Sequence, residues 1–274
     1  MSNWSRLPPS SRVVCDDVQI GENVQIGPDV WIECQRLRLG SGVRIGCVED
    51  ADFRAVAGVR VQARALDLDE GVVIGRCVRM RGGHLHLRQR VQIRDWNEIH
   101  VTRLLDIGIG GTVNEHCEIG GVDIQIGREL WMLPYAKIGG GSAFEVHSSL
   151  TAGHFLHLGM HSFVNTARAV ILGDEVGLGT HTALYTHGAY PSELRGAPVA
   201  FAGVRIGDRS WLPGAIVNPG VTIGPDCVIG VGSVVTRDVP AGSLAGGVPC
   251  RVIQENAYPR ELSPEERRAR MTVF

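Results

Sequence analysis

The chain has 274 residues with 27 basic and 29 acidic side chains, a formal charge of −2, which excludes a field that would gather nucleic acid or anionic lipid. Hydrophobic residues reach 44% while aromatics are only 5% and glycines number 36, a mixture suited to a repetitive β architecture with small tight corners. Seven irregularly spaced cysteines without a CxxC pair exclude a zinc ribbon or a disulfide framework, and read as small hydrophobes in a reducing cytoplasm.

Residues 1–11 form a Pro-containing leader with no apolar segment, so neither a signal peptide nor a membrane span is expected. From Val14 the aliphatics fall six apart, at Ile20, Ile26 and Ile32, then slip by one to Leu39 and Ile45. A six-residue beat fits neither a helix nor a simple strand, but fits a coil of three short flat faces. The slip predicts an irregular corner near Gln35–Leu37. The pattern is poor from Cys47 to Gly71, returns at Ile74, Met80, Leu87, Ile93 and Ile99, and is ambiguous over residues 100–120. It is clean at Ile126, Met132, Ile138, Phe144, Leu150 and Leu156, and resumes at Leu172, Leu178 and Leu184.

Residues about 186–203 break the beat with Pro191, Pro198, Gly188, Gly196 and Gly203, marking a loop that leaves the wall. Trp211, Val217, Ile223, Ile229 and Val235 restore it, each read as an inward residue. The fold predicted is an all-β, parallel β-helix over residues 12–253, of roughly 11–13 coils. A tail over 254–274 follows, with Ser263-Pro264-Glu265-Glu266 opening a short helix over 264–271.

The run WLPGAIVNPGVTIG…VIGVGSVVTRDVPAGSLAGGVPCRVI resembles the C-terminal signature of the left-handed β-helix, coenzyme A-dependent acyltransferases, many of which O-acetylate sugars and other small hydroxylated molecules. The resemblance implies an acyl-CoA co-substrate, acetyl-CoA by default, a small polyhydroxylated acceptor, and a homotrimer with active sites between subunits. It implies His187 as general base, in the context Thr186-His187, Pro191, Arg195 and Pro198, with His181 the rival base or an acceptor contact. The chemistry fits the residue type, since an imidazole accepts a proton at neutral pH. Asn165, in SFVNTARAVILG, resembles an acceptor-contacting Asn, and Arg195 joins it on the acceptor side.

For the coenzyme the resemblance implies Thr236, Arg237 and Arg251 near the phosphates and Gly232 and Ser233 along the pantetheine arm. Trp211 lines the slot. Gly214 or Ala215 offers an N–H to the oxyanion, because Pro213 has none. An N-acyltransferase on an amino sugar uses the same fold and donor. The triplet His154, His157 and His161 keeps a zinc reading of the γ-carbonic anhydrase kind open, although no metal is expected, and a non-catalytic scaffold is the remaining alternative.

Overall fold

The computed structural model describes residues 7–47, 58–140, 146–188, 196 and 200–257. The predicted helix over 264–271, Phe144 and Arg195 lie outside the described residues. The chain winds as a left-handed parallel β-helix whose longest sheet path runs through eleven successive coils. At a strand spacing of ~4.8 Å the stack is about 50 Å long.

A typical coil has three faces, each burying two side chains two residues apart. In the second coil these are Val30 and Ile32, then Leu37 and Leu39, then Val43 and Ile45, all at 3% exposure or less. The pleat explains the spacing of two within a face, and the turn between faces sets the longer beat. The next residue in each column sits directly above, so Ile32 pairs with Val61 and Leu37 with Leu66.

The predicted slip near Gln35 has a simple origin. Cys15 pairs with Cys34 and Asp17 with Arg36, so Asp16 and Gln35 both stand unpaired at the first corner while the register of 19 holds on either side of it. The chain bends there without breaking its ladder, giving nine-residue strands such as Trp31–Leu39. The added residue makes the early coils 19 residues long, against the 18 of an ideal hexapeptide coil, as in the step from Arg60 to Arg79. Later coils shorten to 18, as from Ile216 to Val234.

Residues 100–120 are regular coil: Glu98–Ile107 and Glu118–Ile126 pair in parallel, with a register shift between Gly121 and Asp123. Two predicted inward positions are out of phase. Val14 is 43% exposed while Val13 packs on the core. Trp211 is 41% exposed and Leu212 fully buried, because the Pro213-Gly214 turn shortens the step to Val217 to five residues.

Polar residues occupy some of the buried slots, and several of them pair with backbone turns. Asn97 accepts the Cys117 N–H at 2.7 Å and donates to the Arg94 carbonyl. Ser210 does the same between the Gly224 carbonyl and the Cys227 N–H. Two cysteines take the same slot: the Cys117 thiol lies 3.1 Å from the Leu133 carbonyl, and Cys227 3.1 Å from that of Pro240. Outward positions of the second face carry ion pairs between coils, including Arg38–Asp17, Arg36–Asp67 and Arg88–Asp106. Solvent screens the more exposed of these pairs, which limits what they add to stability.

The C-terminal end is closed by the chain itself. Arg251–Gln254 returns antiparallel along Leu244–Gly246, covering the edge of the last coil. Among the described residues no helix is long and apolar enough to cross a membrane.

Because each coil touches only its neighbours, core truncation should act locally but strongly. Leu105→Ala, at a fully buried position, is expected to cost about 2–5 kcal/mol, read from denaturant titration of the full chain.

Candidate active site

Three residues from two coils meet at the corner after the first face. Phe163–Val164 and Ala183–Leu184 are adjacent first-face strands, paired Phe163 to Ala183. Asn165 leaves the first of these strands, and Thr186 and His187 leave the second. Asn165 is 2% exposed, so its amide must be satisfied by protein. Its Nδ2 donates to the Gly140 carbonyl in the coil below, and its Oδ1 accepts the Ala167 N–H at 3.2 Å. A backbone acceptor on one side and a backbone donor on the other leave one amide orientation.

That orientation decides the chemistry of His187. The imidazole Nδ1 lies 3.0 Å from Asn165 Oδ1, an acceptor, so Nδ1 carries the proton and donates. Nε2 is then left with its lone pair. The Thr186 hydroxyl also donates to Oδ1, at 2.5 Å, while accepting the Arg168 N–H at 3.1 Å. The buried amide therefore holds a half-buried histidine as a proton acceptor.

The ring is also clamped from its side. His187–Gly188 pairs antiparallel with Ala200–Phe201, where the excursion loop returns. Phe201 stacks on the imidazole with centroids 5.5 Å apart and planes 14° from parallel. The Arg168 guanidinium sits 4.5 Å from the centre of the Phe201 ring. Arg168, Phe201 and the Gly140 carbonyl were not singled out in the sequence. Thr186 was named there only as part of the sequence context of His187, and a ring contact across a loop was not legible.

His181 is placed elsewhere. It occupies the corner before the first face, with Ala183–Leu184 between it and His187. Its φ is 61°, and its ring is the last of a ladder with one ring per coil: Trp96, His116, Tyr135, His161 and His181. Successive centroids are 5.0–5.9 Å apart with planes within 9° of parallel. Above His181 the same corner is Gly214, then Gly232, so the column continues without side chains.

The expected coenzyme residues divide by exposure. Thr236, Arg237, Gly232 and Arg251 lie on the surface near the C-terminal end, where Cys250 N–H bonds to the Val234 carbonyl. Ser233 is 1% exposed, its hydroxyl bridging the Gly230 carbonyl and the Gly247 N–H, so it offers a ligand its small size and not its hydroxyl. Ala215 is fully buried. Gly214 N–H is taken by the Thr182 hydroxyl at 2.9 Å, which removes it as an oxyanion donor.

Trp211 lies on the third face with its ring across Gly177, where an added Cβ would meet the ring edge. With Phe155, His157, Glu175 and Val176 it lines a groove of about 500 Å³. The zinc triplet does not converge. His154 is at a corner accepting the Arg128 N–H, His157 is on the third face beside Trp131 and Trp211, and His161 is in the ring ladder. Among the described residues no three His, Cys, Asp or Glu side chains are grouped to hold a metal ion.

Residues 203–237 match the family described as bacterial transferase hexapeptide (six repeats). The chain is 35% identical over 132 residues to the galactoside O-acetyltransferase of Escherichia coli (strain K12), covering 44% of this chain and 64% of that protein. It is 41% identical over 91 residues to a putative acetyltransferase of Saccharomyces cerevisiae, covering 31% of this chain and 45% of the relative. The chain thus spans less than two thirds of the curated relatives it matches. Among solved structures, a galactoside acetyltransferase in complex with coenzyme A aligns at 29% identity and a TM-score of 0.40, over 48% of this chain and 64% of that one. A maltose O-acetyltransferase from Clostridium difficile 630 aligns at 29% identity and a TM-score of 0.33, over 49% and 68%.

Two measurements follow from the site. Neutral His187 should show the Nδ1–H tautomer in long-range ¹H–¹⁵N spectra, and Asn165→Ala should abolish that preference. His157, which burial holds below the ordinary imidazole range, resists protonation in the folded state. Its contribution is therefore intact above an unfolded-state value of ~6.5 and is lost as pH falls below it. His157→Gln should flatten the acid limb of the stability–pH curve.

Proposed function

We propose that this hexapeptide-repeat protein is an acyl-CoA-dependent O-acyltransferase, with acetyl-CoA as donor and a hydroxyl of a sugar or similar small polyhydroxylated molecule as acceptor. The observation that carries the reading is the Asn165–His187 hydrogen bond, which leaves Nε2 as a base beside the returning loop. The similarity to galactoside O-acetyltransferase supports the reaction class.

In this mechanism acceptor and thioester are bound together, so no covalent enzyme intermediate is needed. Nε2 of His187 takes the hydroxyl proton as the oxygen attacks the thioester carbonyl. The tetrahedral intermediate collapses with cleavage of the carbon–sulfur bond, and the imidazolium returns the proton to the leaving thiolate. Asn165 keeps the imidazole in one tautomer and one orientation, and Phe201 fixes its plane.

Thr236, Arg237 and Arg251 are the exposed groups assigned to the coenzyme phosphates, with Gly232 and Ser233 giving the pantetheine arm a path free of large side chains. Trp211 lines the slot, and neither Gly214, whose N–H is taken, nor the fully buried Ala215 offers the oxyanion a donor. His181 and Arg195 belong to the acceptor side of this reading. The protein would work in the cytoplasm as a homotrimer, with each site completed by a neighbouring subunit.

Release of free coenzyme A from acetyl-CoA, measured across a panel of galactosides, maltose and amino sugars, tests the assignment. His187→Ala should lower turnover about 10²–10⁴-fold while calorimetric affinity for acetyl-CoA stays unchanged. Arg251→Ala should weaken that affinity instead. Near-normal turnover of His187→Ala would overturn the reading, and turnover only with amino sugars would move it to N-acylation.

A further inference from the structure

Five of the seven cysteines fall into two kinds. Cys117, Cys227 and Cys250 are buried, and the Cys117 and Cys227 thiols lie against backbone carbonyls rather than against a second sulfur. Cys15 and Cys34 differ, because they face each other. They are register partners on the first faces of the first and second coils, in adjacent parallel strands. Strands in such a ladder are ~4.8 Å apart, within the Cα separation that a disulfide spans. Their sulfurs are 2.7 Å apart, against a bonded distance of about 2.05 Å.

The surroundings favour closure of this pair over any other. The column continues above Cys34 with Ala63 and then Gly82, so neither sulfur has a competing thiol there. Cys34 is only 8% exposed, while Cys15 is half-buried in the first described coil, whose strand pairs on one side only among the described residues. Cys15 is thus the sulfur that an oxidant reaches, and Cys34 the one that resolves it. Burial and the neighbouring Cys15 both raise the Cys34 thiol. A dithiol whose thiolates are not stabilised forms a disulfide that is hard to reduce.

We propose that Cys15 and Cys34 are a disulfide-forming pair that staples the terminal coil to the second coil when a small-molecule disulfide such as oxidised glutathione is present. Cys15 thiolate attacks one sulfur of the oxidant and expels a first glutathione thiolate. Cys34 thiolate then attacks Cys15 in the mixed disulfide and expels a second. The two protons lost by the cysteines are taken up by the two glutathione thiolates, so one protein dithiol is oxidised and one glutathione disulfide reduced. The bridge closes a 19-residue separation and withdraws the first coil from fraying.

The test uses the full chain, folded, treated anaerobically with oxidised glutathione and then denatured for thiol titration. The seven thiols should fall to about five, a loss of two per bridge formed. Cleavage at acidic residues, several of which separate the two cysteines, should recover them as one linked pair by mass spectrometry. Amide exchange over Arg12–Ile20 should slow on oxidation and recover with dithiothreitol. Cys15→Ser and Cys34→Ala should each remove both the link and the slowing. Seven surviving thiols, a link between other cysteines, or glutathione retained on Cys15 beside a reduced Cys34 would overturn the proposal.

Discussion

The whole architecture rests on one backbone constraint at its corners. The residue just before the buried slot of a turn repeatedly takes positive φ, whether glycine as at Gly42, Gly71 and Gly232, or Asn23, Asp29, Glu129 and His181. This left-handed conformation turns the chain sharply enough to begin a new flat face. Once the corner is set, the strands of successive coils lie parallel and in register. Backbone groups then bond to the coil above and below, as Trp31 N–H does to the Val59 carbonyl and Arg60 N–H to that of Val78. The aliphatic core follows from this register. Each buried residue is stacked on its counterpart, so a column of Val, Ile and Leu fills the prism without side chains reaching across from distant segments.

Left-handed backbone is uncommon for residues with a Cβ, and here the side chains gain something from it. At the corner before the first face the exposed rings of Trp96, His116, Tyr135, His161 and His181 are brought into near-parallel stacking at the coil spacing. Aromatic contacts of this kind contribute about 0.5–1.5 kcal/mol each. The same corner becomes glycine where the chain nears its C-terminal end, which clears the surface beside the residues assigned to the coenzyme.

The repeat itself was legible in the sequence because a periodic core writes a periodic string: Ile126, Met132, Ile138, Leu172, Leu178 and Leu184 are all buried where the six-residue beat places them. What the beat conceals is its phase. A shortened turn at Pro213-Gly214 shifted the count by one and put Trp211 on the outside, and the unpaired corner residues Asp16 and Gln35 lengthened the early coils. At the site, His187 and Asn165 were both readable as candidates, yet not their relation. They are 22 positions apart and meet only because two coils stack. Phe201 was invisible for a stronger reason: its contact depends on where the excursion loop re-enters, which no local pattern encodes. The cysteine count, read as seven inert hydrophobes, likewise missed that Cys15 and Cys34 share a column.

The Asn165 amide ties three successive coils at one point: the Gly140 carbonyl below, its own turn at Ala167, and the His187 imidazole above. Everything that fixes the imidazole is therefore contained within those coils and the loop that leaves them. In a stack where interactions reach only the adjacent layer, reach and reactivity are separable quantities. Coils added or removed near the first strands would change how far the molecule extends without changing the geometry of the Asn165–His187 hydrogen bond. The chain is in that sense a rod of adjustable length with a fixed tool at one end.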